Sequence, residues 1–215
     1  MQVGILGSGL MGGKLGTLFA RAGHDVVFSY ARSIHKLERL ANGAGSRARS
    51  GTPAEAAKNA DAILLAVHWL HMDDVLGQAG ELAGKVVVSC SLPMNGDNTG
   101  LVVGHTTSGA KELAKQLPKA RVVCAFNTVP SEVLFGVYEG KRRAKRPSLV
   151  NCGDHAPSKA TAAALIRDVG FEPIDAGSLR AARYTEPFAL LMAQLAYDGT
   201  DGPELAYRVE RYPQR

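Results

Sequence analysis

Glycine spacing near the amino terminus is the strongest chemical signal in the chain. Gly7-Ser8-Gly9-Leu10-Met11-Gly12 follows a short apolar run, Gln2–Leu6, and leads into a stretch with Leu15, Leu18 and Phe19 on one helical face. Strand, glycine turn and helix, in that order, are the context in which G-x-G-x-x-G holds the pyrophosphate of a dinucleotide. Gly7 allows the tight turn, Gly9 lets the backbone approach the phosphates, and Gly12 lets the helix pack close to the strand. Ser8, Leu10 and Met11 fill the turn. The first helical turn then offers unpaired N–H groups and a positive dipole end to the anion.

The end of the next apolar run selects between dinucleotides. An Asp or Glu about twenty residues beyond the glycines binds the ribose hydroxyls of NAD. Here the tract is Ser29-Tyr30-Ala31-Arg32-Ser33, which contains no acid. Arg32 can grip a 2′-phosphate bidentately and stack its plane on adenine, with Tyr30 and Ser33 adding hydroxyl bonds. The expected cofactor is NADP.

The elements needed to position these groups follow from periodicity and punctuation. Strands are expected at 2–6, 25–30, 61–67, 85–89, 121–126, 148–152 and 171–175, and helices at 13–22, 34–41, 108–116 and 157–169. Thr52-Pro53-Ala54-Glu55 is a capping box with proline at the first helical position, opening a short helix. Ser178 is expected to cap a long apolar helix to about Tyr197, with Pro187 as a kink or restart. Alternation of strands and helices means an α/β, doubly wound, mostly parallel sheet of the Rossmann type, covered on both faces. The organisation expected is a nucleotide-binding domain at 1–176. A helical segment at 177–215 would complete a second-substrate site.

Net charge is +5, and residues 141–146 alone carry five positive side chains, so the remainder of the chain sums to zero. Basicity this local does not describe a nucleic-acid surface. No run approaches the ~20 apolar residues that cross a bilayer, and the N-terminus reads as a strand that starts at once rather than as a signal peptide. The chain is therefore expected to be cytoplasmic, without a membrane partner. Cys90, Cys124 and Cys152 sit in or beside apolar runs; an odd count without a C-x-x-C pair argues for buried, reduced thiols rather than a disulfide framework or zinc site.

Taken together, several tracts resemble the NADPH:coenzyme F420 oxidoreductase family, within the broader 6-phosphogluconate dehydrogenase-like group. They are the glycine turn, Ser29 to Ser33, Ala66-Val67-His68-Trp69, Ala125-Phe126-Asn127-Thr128-Val129-Pro130, Gly170-Phe171-Glu172-Pro173 and Ala181-Ala182-Arg183. The resemblance covers nearly the whole chain. It implies hydride transfer between a bound nicotinamide and a deazaflavin (F420) or a flavin, a small-molecule redox substrate, with no side chain acting as acid or base. It also places Ala66, Val67, His68 and Trp69 beside the phosphate and nicotinamide. Ser91-Leu92-Pro93 and Asn127-Thr128-Val129-Pro130 are placed around the second ring. His68 stands where the family often has proline, and Leu92 where it often has asparagine before proline. Related reductases, including ferric-reductase domains that pass electrons through flavin, keep the NADP half and change the partner.

Two other functions stay open on the sequence: a reductase of a small carbonyl or imine, and a non-catalytic NADP-binding redox sensor. His68 and His71 are read as a strand end in the crevice and the start of a surface helix rather than as metal ligands. Arg183 and Glu186, one turn apart, are read as a helix ion pair. The basic cluster at 141–146 is read as a solvated loop, with attraction of an acidic substrate tail as the alternative. The apolar belt of the last helix predicts a homodimer.

Overall fold

The computed structural model describes residues 1–142 and 144–212. Eight strands form one sheet in the order β3-β2-β1-β4-β5-β6-β7-β8. In chain order these are β1 (Gln2–Leu6), β2 (Asp25–Ser29), β3 (Ala48–Ser50), β4 (Ala62–Leu65), β5 (Val86–Ser89), β6 (Arg121–Cys124), β7 (Ser148–Gly153) and β8 (Glu172–Asp175). The helices are α1 (Leu10–Arg21), α2 (Ile34–Ala44), α3 (Pro53–Lys58), α4 (Met72–Ala79), α5 (Gly109–Gln116), α6 (Val133–Glu139), α7 (Ala156–Asp168) and α8 (Ala182–Tyr197).

Strand alternation divides the core into two layers, because successive side chains point to opposite faces. Ala62 and Leu64 of β4, Val88 of β5 and Val123 of β6 join Ile5, Leu15, Phe19 and Phe28 on the α1 side. Ile63 and Leu65, Val87, Val122 and Cys124 join Leu6, Val75 and Leu113 on the other. The α/β class and the doubly wound sheet expected from the sequence are the ones observed. Pairing is parallel at every named seam except β6–β7, which is antiparallel and only two residue pairs long.

Local signals placed the caps well. Thr52 and Glu55 form the reciprocal capping box with Pro53 at the helix start, and Ser108 caps α5. Ser33, read from the sequence only as a phosphate contact, also caps α2 through its side chain. Ser178 does not act as expected: a 3-10 turn (Leu179–Ala181) intervenes before α8, and Ser178 makes no side-chain cap bond. Nor does Pro187 restart the helix, which runs unbroken from Ala182 to Tyr197. The sequence reading also missed β3, whose Ala-Arg-Ser has no apolar pattern, and the short α6 beyond Pro130.

Strand order turns back between β1 and β4, with β2 and β3 to one side and β5 onward to the other. The carboxyl ends of β1 and β4 therefore diverge and leave a crevice. In open α/β sheets ligands bind at that place.

Candidate functional site

Local geometry at the end of β1 is set by glycine. Gly7 has φ +107, and a Cβ there would lie 2.4 Å from Ala66 O; a Cβ on Gly12 would lie 1.9 Å from Gly7 O. Helix α1 thus lies on the strand as closely as the backbone permits. Gly9 differs, with nothing within 4 Å of its would-be Cβ, so its backbone faces open space. It is the N-cap of α1, no side chain caps this helix, and its first turn holds no acid. The first N–H groups of a helix have no acceptor within it, so this end is a cradle for an anion.

Ser8 is fully buried and supports the turn instead of facing the crevice. Its hydroxyl donates to Ser29 O at 2.8 Å and its N–H to Tyr30 O at 3.0 Å.

Beyond Gly9 a crevice of about 590 Å³ opens, within the range of roughly 300–1,000 Å³ usual for cofactor sites. The structure brings Gly9, Leu10, Met11, Ala66, Val67, His68, Ser91 and Asn127 together on its walls, although they come from four strand ends. Leu92, Val129 and Pro130 also line it, but Pro93 and Thr128 do not. Thr128 is buried against the Tyr207 hydroxyl at 2.8 Å. Trp69 stays outside the lining too, packed on the apolar layer within a 3-10 turn (Trp69–His71).

Ala189, Met192, Ala193 and Tyr197 of α8 form a further wall, a contribution the sequence did not locate residue by residue. Lys14 was also missed: its ammonium donates to Ser131 O and Oγ, each at 3.1 Å, beside the crevice. The two residues are 117 apart in sequence, and no spacing rule reaches that far. Glu132 accepts from the Tyr197 hydroxyl at 2.8 Å. Burial and then that carboxylate raise the Tyr197 phenol to about 12, so it stays protonated at neutral pH.

At the neighbouring strand end, Arg32 and Ser33 are exposed. Tyr30 has φ 54 and donates its hydroxyl to Asp74 of α4 at 2.6 Å. Burial, and then Asp74, raise its phenol to about 12. The acid-free character of the β2 tract thus has a tertiary qualification, since Asp74 reaches Tyr30 from another element. Phe126, φ 67, turns the chain after β6 in the same way and delivers Asn127 to the crevice. Such backbone angles cost of order 1–3 kcal/mol each and gather at functional sites. Asn127 donates to Cys124 Sγ at 3.3 Å, while its Oδ1 has no partner among the described residues.

His68 lines the crevice as expected, but it lies three residues beyond the end of β4 and caps the 3-10 turn rather than ending the strand. Its Nε2 meets Asn98 Oδ1 at 2.9 Å. Its ring lies 6.4 Å from that of His71. Among the described residues no cluster of three or more His, Cys, Asp or Glu gathers to hold a metal ion.

The Arg183–Glu186 ion pair does not form. Glu186 is buried and accepts from Gly109 N at 2.8 Å and Ala110 N at 2.9 Å, closing the N-terminus of α5. Arg183 donates instead to the Tyr184 hydroxyl. Burial raises the Glu186 carboxyl to about 7 against the opposing pull of those two N–H groups. The proton is thus held more tightly in the folded chain than in the unfolded one. This contribution to stability is complete below the unfolded carboxyl value and is lost as pH rises through about 7. The loss is expected to be roughly 2–3 kcal/mol. Melting curves from pH 4 to 8 should show the decline in wild type and a flatter profile in Glu186→Gln; parallel profiles would disprove it.

Of the basic cluster, Lys145 pairs with Glu210, Arg146 with Glu172, and Lys141 lies over the Tyr138 ring. Arg143 lies outside the described residues. None of the cluster's described residues lines the crevice. No helix among the described residues is long and apolar enough to cross a membrane.

Comparison with known proteins agrees with the resemblance seen in the motifs. Residues 2–93 match the family described as NADP oxidoreductase, coenzyme F420-dependent. The chain is 33% identical to the metalloreductase STEAP3 of Rattus norvegicus over 88% of its own length. It is 25% identical to the metalloreductase STEAP2 of Homo sapiens over 91%. It spans only 36% and 37% of those two proteins. Among solved structures, a protein of Arthrobacter sp. fb24, assigned as an F420-dependent NADP-reductase, superposes with a TM-score of 0.85 at 22% identity. The match covers 98% of this chain and 100% of that one. A reductive aminase of Aspergillus terreus, in complex with NADPH and ethyl-5-oxohexanoate, gives 0.66 at 19% identity over 90% of this chain and 61% of that one. At these identities the structural likeness establishes the fold.

Proposed function

We propose, for a chain whose residues 2–93 carry the pattern of the F420-dependent NADP oxidoreductases, that the crevice binds NADP(H) and holds it against a planar redox ring, a deazaflavin of the F420 type or a flavin. The observation that carries this reading is the uncapped start of α1, open at Gly9, at the mouth of an apolar crevice on the switch point of the sheet.

When bound, the dinucleotide supplies a hydride. The N–H groups after Gly9 hold its pyrophosphate by the helix-terminus mechanism. Arg32 and Ser33 receive the 2′-phosphate, while Tyr30 is occupied with Asp74 and shapes the adenosine end. Ala66, Val67 and His68 form the wall beside the nicotinamide, and Ser91 and Asn127 the wall beside the second ring. Ser91 itself donates to Val67 O at 2.8 Å, which ties these two walls together. Leu92, Met94, Val129 and Met192 exclude water, and rate comes from holding two rings at near-attack distance rather than from an acid or base. On this reading residues 1–176 bind the nucleotide and the segment 177–215 closes the acceptor side.

Tyr184, Leu191, Leu195 and Tyr197 are exposed on α8, which supports a homodimer formed through this helix in a cytoplasmic protein. Light scattering that gives a monomer throughout the micromolar range would remove the dimer.

An acceptor screen followed at the NADPH absorbance band, with NADH as control, tests the assignment. F420, flavins and flavin-coupled ferric chelates should oxidise NADPH. Turnover only with carbonyl and amine pairs would transfer the chain to the imine-reductase reading, towards which the shared fold with the reductive aminase points. Tight NADPH binding with no turnover on any acceptor would leave a redox sensor.

A further inference from the structure

Cys124 and Cys152 take no part in the proposed hydride chemistry. They are Cα partners across the β6–β7 seam, and both are buried in the same apolar layer. Backbone bonding identifies the kind of pair they form. Asn151 O accepts from Ala176 N, and Gly153 N donates to Gly177 O, so residues 151 and 153 bond away from β6. Cys152 lies between them and turns its N–H and C=O towards β6. A hydrogen-bonded antiparallel pair has Cα atoms about 5.5 Å apart, inside the span of about 4.4–6.8 Å that a disulfide bridges. Directly opposed residues also place their side chains on one face.

We propose that Cys124 and Cys152 form a reversible oxidation site, closing to a cross-strand disulfide under a peroxide and reopening under a small thiol. In the first step one thiolate attacks a peroxide oxygen, the O–O bond breaks, and a sulfenic acid and water result. The second thiol then attacks that sulfur and expels its oxygen as water. Two cysteines give up two electrons and two protons, and the peroxide leaves as two waters. Reduction returns the electrons from two small thiols, which leave as their own disulfide.

The hydrogen bond with Cys152, and then burial, push the Cys124 thiol well above its usual value. Thiolate is therefore scarce, and closure is slow. Its consequence is mechanical: the seam has only two residue pairs, and a covalent bond there fastens β7 and β8 to the parallel strands. It also fixes the sulfur to which Asn127, on the crevice wall, donates.

The test oxidises the native protein with hydrogen peroxide, alkylates it in denaturant, and maps unreduced peptides by mass. The expected product is two hydrogens lighter, carries a single alkyl group on Cys90, joins Cys124 to Cys152 and reverts with dithiothreitol. Its Tm should rise by roughly 5–10 °C over the reduced form. Cys90→Ser should cross-link as wild type does, and Cys152→Ser should not. Three alkylated thiols after oxidation, a link through Cys90, or over-oxidised cysteines without a link would each overturn the proposal.

Discussion

Arg32→Glu is expected to weaken NADPH binding about 100-fold while leaving NADH within about threefold, as measured by calorimetric titration. The size of the effect follows from the charge. A bidentate guanidinium–phosphate contact is worth about 1.5–3 kcal/mol, and a carboxylate in its place adds repulsion that the 2′-hydroxyl of NADH does not feel. Arg32 is exposed, so the substitution removes no packing and the fold should be unaffected. Asp74, which reaches this side from α4, is engaged by the Tyr30 hydroxyl at 2.6 Å. Tyr30→Phe would release that carboxylate and should lower the preference for NADPH in the same direction, by a smaller factor. Equal affinity of the wild type for both dinucleotides would sink the assignment of Arg32.

Gly12→Ala and Gly9→Ala are expected to separate the two duties of the glycine turn. A methyl group on Gly12 meets Gly7 O at 1.9 Å and the Ala66 side chain at 3.1 Å. Neither neighbour can yield, because Gly7 is held by Ser29 O and Ala66 by Leu6 O. The variant should lose about 3 kcal/mol, the upper end of the usual cost of overpacking a core site, and about 10 °C of Tm. A methyl on Gly9 meets nothing, so Gly9→Ala should keep its Tm within a few degrees. It should still bind NADPH at least about tenfold more weakly, because the methyl occupies the approach of the pyrophosphate. If Gly9→Ala binds as wild type does, the phosphates lie elsewhere.

These outcomes depend on features of different legibility. The turn, its cofactor-selecting tract and the caps at Thr52 and Ser108 could be read directly, because each is fixed by residues within a few positions of one another. A capping box needs only Thr52 and Glu55. The α/β class followed for the same reason, since alternation and helical periodicity are local properties of the chain. The α8 wall of the crevice was less legible, because α8 presents Ala189 and Met192 to it only once the helix is packed.

By itself the sequence determined the elements, the anion-binding turn and the chemistry of the β2 tract. Tertiary structure alone decided that Glu186 closes α5 instead of pairing with Arg183, that Asp74 takes the Tyr30 hydroxyl, and that Lys14 reaches Ser131. It also reversed β7, which set Cys124 opposite Cys152. The physical reason is the same in each case. Backbone and capping preferences act over one or two turns of chain, whereas strand order and helix packing choose the partners of buried polar groups, and those partners lie dozens of residues away.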